Sequence, residues 1–274
     1  MSFGSHSATS KPIATVVVGH GSLLRDSGAA MMRIAALLRQ QAVTPIVEAG
    51  FLNFSQPTFA DAVQRAVDAG ASRIIVQPYF LIQGHYVAHE LPALVHTVAA
   101  RDATTRFQIA DVLGAHPALG ALARQRLAMI NAAPGRDTAL LFVAHGTPVP
   151  AANEPITQVL GQLQTDAGYG PAAVGYLECN QPTIAEAFAQ LAAAENVRRI
   201  DVLPYFLHLG RHVRKDLPAH FAQARDAYPH LAIHIADHLG YDSLLAAAVA
   251  DRVTARLHGD GATTFAESIS IRGD

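Results

Sequence analysis

The chain repeats its own sequence at a spacing of about 125 residues. Gly50–Ala62 aligns with Gly175–Ala187 at an offset of 125, and seven of the 13 positions are identical. A Gly-His-Gly-Ser turn beginning at Gly19 lies at the same offset from an Ala-His-Gly-Thr turn. Pro78–Leu81 then matches Pro204–Leu207 at an offset of 126. An internal period of this length predicts two similar domains.

The domain boundaries follow from where the repeats begin and end. We predict a first repeat over residues 13–132 and a second over residues 133–260. Pro and Gly interrupt the pattern between Asn131 and Asp137, which places the join there. Residues 1–12 are expected to form a disordered tail, and residues 261–274 a C-terminal tail.

Each half alternates short apolar runs rich in β-formers with stretches rich in Ala and Leu. Predicted strands cover residues 14–19, 46–52, 73–78, 107–112, 138–144, 173–178, 199–204 and 232–236. Predicted helices in the first half cover residues 29–41, 58–69, 87–100 and 117–129. Continuously apolar strands joined by short linkers predict an α/β fold, with parallel sheets flanked by helices on both faces. Ligands in such folds bind beyond the carboxyl ends of the strands.

Charge and cysteine content exclude several classes of protein. Twenty Lys and Arg against 22 Asp and Glu give a formal charge of −2, so no basic field attracts nucleic acid or an anionic membrane. Cys179 is the one cysteine, which excludes an intramolecular disulfide and a thiolate-rich zinc site. The polar N-terminal residues lack the apolar core of a secretory signal. We therefore expect a cytoplasmic protein with no nucleic-acid or membrane partner.

Unusual residues follow the predicted strands in both halves. His20 and His145 follow the first strand of each half, whereas Asn53 and Glu178 end the second strands. A histidine between glycines has two readings: a turn that caps the next helix, or an imidazole presented at a strand end. The turn lacks both the P-loop lysine and the G-x-G-x-x-G spacing, which disfavours nucleotide binding.

The segment after the third strand of the second half holds His212 and a cationic cluster. His212 stands two residues after Gly210, where a strand passes into a helix. The cluster consists of Arg211, Arg214 and Lys215. Such a cluster is either a solvated face or, beside a ligand crevice, a set of partners for carboxylates.

Taken in order, these motifs resemble the sirohydrochlorin chelatases, or class II chelatases. The matching pieces are G-H-G-S and A-H-G-T, F-L-N-x-x-Q-P-T and Y-L-E-x-x-Q-P-T, and P-Y-F-L-x-x-G-x-H-V-x-x-D-L-P over Pro204–Pro218. The resemblance implies two tandem chelatase-like domains of Rossmann type that face each other across a cleft. It implies insertion of Co²⁺ or Fe²⁺, with Ni²⁺ as a further candidate, into sirohydrochlorin or a similar tetrapyrrole. The metal is then a substrate, and no prosthetic group is expected.

The resemblance also implies the site residues. The second half carries the full ligand pattern and is expected to hold the working site, whereas Asn53 and Tyr86 break the pattern in the first half. Residues implied to bind metal or accept protons are His145, Glu178, His212 and His20, with His85 as an additional metal ligand. Residues implied to anchor substrate carboxylates are Arg211, Arg214, Lys215 and Arg25.

Two alternatives remain open from sequence. One is a metal or tetrapyrrole carrier of the same fold that catalyses no insertion. The other is an unrelated α/β enzyme that binds a phosphorylated small molecule in the crevice. The sequence does not distinguish sirohaem from cobalamin synthesis, and a monomer is expected because an internal duplication can replace a dimer.

Overall fold

A computed structural model describes residues 11–23 and 27–259 of the chain. Within these ranges the fold is α/β and consists of two four-stranded parallel sheets, as the sequence predicts. No helix in the described part is long and apolar enough to cross a membrane.

The described part of the chain holds eight strands, most of them from apolar runs, whereas β4 and β8 alternate apolar with polar or small residues. They are β1 (Ile13–Gly19), β2 (Ile46–Phe51), β3 (Arg73–Pro78), β4 (Arg106–Ile109), β5 (Thr138–Ala144), β6 (Ala172–Tyr176), β7 (Arg199–Pro204) and β8 (Ala232–Ile235). The first sheet has the order β2-β1-β3-β4 and the second has β6-β5-β7-β8. In each sheet the first strand of its half lies second in the order, so its carboxyl end is flanked by those of both neighbours.

In the part of the chain that the structure describes, eight α-helices connect and cover the strands. They are α1 (Ala29–Gln40), α2 (Phe59–Asp68), α3 (Leu91–Ala99), α4 (Pro117–Ala128), α5 (Glu154–Ala167), α6 (Ile184–Ala192), α7 (Leu217–Ala227) and α8 (Ser243–His258). Helices α3 and α7 are each preceded by one π-helical turn. We call Tyr86–Glu90 the first π segment and His212–Asp216 the second π segment.

Three hydrophobic clusters define five layers. Helices α2 and α3 cover the outer face of the first sheet, and α6 and α7 cover the outer face of the second. Between the sheets lies a shared layer that contains α1, α4, α5 and α8. The two repeats therefore share one continuous core instead of having two separate ones.

The last helix of each repeat packs against the sheet of the other repeat. Helix α8 contacts β3, and α4 contacts β7. We call this packing of each last helix on the other repeat's sheet the exchange of α4 and α8. Two arginines at equivalent positions stabilise it: Arg126 donates to the carbonyl of Leu239 at 2.9 Å, and Arg252 donates to that of Leu113 at 2.9 Å. The pairing relates the halves by an approximate twofold axis and joins them firmly.

Candidate metal-binding site

Three potential ligands meet at the carboxyl end of the second sheet. His145 follows β5, Glu178 lies two residues beyond β6, and His212 begins the second π segment after β7. One ligand atom from each lies within 4.8 Å of the other two, and the two imidazole centroids are 4.8 Å apart. His145 and Glu178 are exposed and His212 is partly exposed, so the site opens to solvent. We call these residues the triad.

The backbone of two neighbouring loops fixes His145 against Glu178. The amide of Glu178 donates to the carbonyl of His145 at 2.9 Å. Gly146 has φ +90°, and a Cβ atom there would stand 1.9 Å from the carbonyl oxygen of Glu178. Only glycine fits this approach, because it tolerates the left-handed conformation and has no Cβ. Asn180 strengthens the contact by accepting from the amide of Thr147 at 2.7 Å.

Hydrogen bonds at Nδ1 leave the Nε2 atoms of both histidines free. The Nδ1 of His145 lies 3.3 Å from the carbonyl of Gly146, which can only accept, so that nitrogen carries the proton. The Nδ1 of His212 donates to Oδ2 of Asp216 at 2.8 Å. A carboxylate behind an imidazole fixes its tautomer and makes Nε2 a better ligand. Asp216 is a candidate positioning residue that the sequence analysis missed, although its i,i+4 spacing from His212 is a detectable signal.

The second π segment has a local cause. Pro218 has no amide hydrogen, and its ring would crowd the carbonyl four residues earlier in an ordinary helix. The chain widens instead, and the amide of Leu217 donates to the carbonyl of His212, five residues back. Single π turns of this kind are frequent at functional sites.

The equivalent position in the first half is packed with aromatic rings. His20 lies 4.2 Å from the Tyr86 ring and 5.8 Å from the Phe54 ring, centroid to centroid. Its Nδ1 bonds to the carbonyl of Gly21, and its buried Nε2 has no hydrogen-bond partner within the described ranges. Asn53 and Tyr86 stand where the second half has Glu178 and His212.

His85 lies on the exposed surface of the first half. Its Nε2 is 3.8 Å from Oε1 of Glu90, and its ring is 5.1 Å from that of His89. In the described part of the chain, the triad alone brings three ligand atoms within 4.8 Å of one another. His20 and His85 therefore do not complete a second ligand set of that kind.

The cationic residues lie on the second π segment, beside His212. Arg211, Arg214 and Lys215 are all exposed, and Nε of Arg211 lies 4.0 Å from Oδ1 of Asp216. Arg25 lies outside the described residues.

Space for a ligand adjoins the triad. A cavity of about 350 Å³ has walls from the β6–α6 loop and from α7. Its lining residues are Leu177, Glu178, Asp216, Ala219, His220 and Gln223.

Exposed apolar side chains concentrate on the loops at the carboxyl ends of the strands. Seven large hydrophobic residues are exposed in the described part of the chain; four of them lie on these loops, and a fifth, Tyr86, begins the first π segment. The five are Leu23, Phe54, Tyr86, Val149 and Leu209. Phe54 is 65% exposed and has φ +61°, a conformation in which a bulky residue is a genuine outlier.

The fold is that of a two-repeat parallel α/β protein, and an open cluster of two histidines and one glutamate lies at the strand ends of its second half. The chain belongs to the CbiX family, whose model matches residues 14–130 and again residues 139–256.

Similar proteins carry chelatase names. A sirohydrochlorin ferrochelatase from Priestia megaterium is 22% identical over 251 residues, which are 90% of this chain and 92% of that protein. A sirohydrochlorin cobaltochelatase from Methanocaldococcus jannaschii is 42% identical over 82 residues, which are 30% of this chain and 57% of that protein.

Solved structures share the fold. SirB from Bacillus subtilis with Fe³⁺ superposes with a TM-score of 0.79 at 20% identity, over 89% of this chain and 94% of that one. CbiX, described as the terminal enzyme for biosynthesis of siroheme in denitrifying bacteria, has a TM-score of 0.64 at 24% identity, over 88% and 98% of the two chains. At identities below 25% the likeness shows the fold alone.

Proposed function

We propose that this protein is a sirohydrochlorin chelatase, which inserts Co²⁺ or Fe²⁺ into the macrocycle with the second half as its working site. The observation that carries the proposal is the triad, where three ligand atoms from separate strand ends lie within 4.8 Å. The named activities of the ferrochelatase and cobaltochelatase relatives support it.

The ligand types suit a metal that must leave again. Two imidazoles and one carboxylate bind Co²⁺, Fe²⁺ and Ni²⁺, and three protein ligands leave positions for water or substrate. The exposure of His145 and Glu178 gives the macrocycle access to the ion. A closed set of four ligands would hold the ion too tightly for transfer.

The same groups can balance the protons. Insertion of a divalent ion into the macrocycle forms metal–nitrogen bonds and releases two pyrrole protons. As the ion leaves the triad, the lone pairs of His145 and His212 at Nε2 and a carboxylate oxygen of Glu178 become free to accept those protons. The reaction needs no oxidant or reductant and no prosthetic group, because the metal keeps its charge.

The macrocycle would lie between the two halves. Phe54 and Tyr86 offer exposed aromatic surface on the first half, where a flat ring can stack. Arg211, Arg214 and Lys215 offer cations on the second half, where they can pair with the carboxylates of the macrocycle. These groups position the ring nitrogens over the triad. We propose that the protein acts as a monomer, since the duplication supplies both walls of the cleft. We also propose that it acts in the cytoplasm.

The test is metal insertion measured separately for His145→Ala and His212→Ala. The change in the visible spectrum of sirohydrochlorin on addition of Co²⁺ or Fe²⁺ gives the rate. We expect both variants to lose at least tenfold in rate, whereas His96→Ala, a change on the exposed surface of α3, keeps the wild-type rate. Undiminished rates in both triad variants would contradict the proposal, and loss only in His20→Ala would move the site to the first half.

A further inference from the structure

The two π segments carry different chemistry at equivalent positions. An offset of 126 pairs His85 with Arg211, His89 with Lys215, and Glu90 with Asp216. The second half has two cations where the first half has two imidazoles. Arginine and protonated lysine cannot ligate a metal ion, whereas imidazole is its commonest ligand in proteins. At these two equivalent positions, therefore, the first half has potential metal ligands and the second half has none.

His85 and His89 lie on one face of a helical turn. His85 has φ −50° and ψ −45°, and the first π segment follows it directly. Side chains four residues apart on a helix are neighbours. Their ring centroids are 5.1 Å apart, close to the 4.8 Å that separates the two imidazoles of the triad. Both residues are exposed, so their side chains can rotate onto a shared ion.

Glu90 supplies a carboxylate at the same place. In the second half the equivalent Asp216 is bonded to His212, but the first half has Tyr86 at that position, and its ring packs on His20. Glu90 therefore has no imidazole four residues before it. Instead its Oε1 lies 3.8 Å from Nε2 of His85.

We propose that His85, His89 and Glu90 form a second divalent-cation site, distinct from the triad, which takes borderline cations such as Co²⁺, Fe²⁺ and Ni²⁺. Two imidazoles and one carboxylate are the same donor set as in the triad. The 3.8 Å separation of the His85 and Glu90 atoms allows both to reach one ion, since each ligand bond is about 2.0–2.2 Å long. The side chains of His85 and Glu90 are 57% and 39% exposed, so water competes for the ion and this site is expected to be the weaker and faster-exchanging of the two.

The position of the site suits capture of an ion before it reaches the triad. A Cβ atom on Gly84 would lie 3.3 Å from Oγ1 of Thr147, so the loop before His85 touches the turn that carries His145. The length of chain on either side of this contact means that the Cα atoms of His85 and His145 are at most about 20 Å apart. The supply role rests on the proposed chelatase activity, whereas metal binding at the second site does not.

Equilibrium dialysis against Co²⁺, and in parallel against Ni²⁺, tests the site. The key variant is His85→Arg with His89→Lys, which installs the residues that the second half carries on the same helical turn and is therefore expected to fold. A second variant, His145→Ala with His212→Ala, removes the triad. His96→Ala serves as the matched surface control.

We expect the wild type and the His96 variant to bind two ions per chain, with different affinities. Each double variant should bind one: the tighter ion remains when His85 and His89 are replaced, and the weaker ion remains when the triad is removed. A His85/His89 variant that binds both ions as the wild type does would overturn the proposal, as would a triad variant that binds none. Failure of wild-type metal insertion, with two ions still bound, would refute the chelatase function and leave the second site standing.

Discussion

Asp216 should control metal affinity although it does not touch the ion. Its Oδ2 accepts the Nδ1 proton of His212 at 2.8 Å, and the two side chains are 31% and 35% exposed. Asp216→Asn keeps the shape but removes the charge. The amide nitrogen can then donate to Nδ1, which would move the imidazole proton to Nε2 and block the ligand atom.

The size of the effect follows from the geometry. Loss of a partner behind a ligating histidine typically costs 10–100-fold in metal affinity. Solvent access to this pair screens its charge, so we expect the lower end, about tenfold, which corresponds to about 1.4 kcal/mol. The free energy of unfolding should change by ~0–1 kcal/mol, the range for a pair of partly exposed side chains.

Titration of Co²⁺ by calorimetry gives the dissociation constant at the triad, and urea unfolding gives the stability. Asp226→Asn removes the same charge from the exposed surface of α7 and should leave the dissociation constant unchanged. Asp216→Glu should recover part of the affinity, since a carboxylate returns. A wild-type dissociation constant in Asp216→Asn would refute the positioning role.

Three further predictions concern the loop at Gly146, the buried His208 and the exposed aromatic ring of Phe54. Gly146→Ala should destabilise the protein by several kcal/mol in urea unfolding and weaken Co²⁺ binding, because the new Cβ would collide with the carbonyl of Glu178. A Cβ at Gly161 on α5 would meet no atom within 4 Å, so Gly161→Ala should stabilise the protein by up to about 1 kcal/mol. Equal effects of the two changes would contradict this argument. Burial lowers the pKa of His208 to about 4. Between about pH 6.5 and 4, this histidine is therefore protonated in the unfolded chain but neutral in the folded one. The free energy of unfolding should then fall as pH falls through that window, by up to about 3 kcal/mol. His208→Ile should flatten this pH dependence, and an unchanged slope would refute the assignment. Phe54→Ala should weaken the binding of metal-free sirohydrochlorin about tenfold, measured by fluorescence, and leave the Co²⁺ affinity unchanged. Undiminished binding of the macrocycle would show that the Phe54 ring does not contact it.

Apolar runs were enough to predict the strands to within a few residues. The predicted strand 14–19 is observed as Ile13–Gly19, and the predicted helix 29–41 as Ala29–Gln40. These elements follow local hydrophobic patterns, which a single sequence displays. The predicted helix 87–100 begins instead with the first π segment, because Pro92 disrupts ordinary helical bonding in the same way as Pro218.

The exchange of α4 and α8 between the sheets was not predictable from these patterns. An apolar pattern along a helix predicts that one face is buried, but it does not predict which sheet covers that face. Arg126 and Arg252 fix the exchange through carbonyls more than a hundred residues away in sequence. Such long-range pairing leaves no local signature.

The candidate site was predicted in part. His145, Glu178 and His212 were identified from the repeat and the resemblance, and the structure brings them together. Asp216 was missed because its role depends on how the imidazole of His212 is oriented. The aromatic packing around His20 was also missed, since a strand-end histidine looks the same in sequence whether its Nε2 faces solvent or a ring.

The location of bound Co²⁺ tests the central claim most directly. Anomalous scattering from a crystal soaked with one equivalent of Co²⁺ per chain gives the ion's position without reference to activity. The account predicts the strongest peak about 2.0–2.2 Å from Nε2 of His145, Nε2 of His212 and a carboxylate oxygen of Glu178. A strongest peak beside His20, or none near the triad, would contradict it.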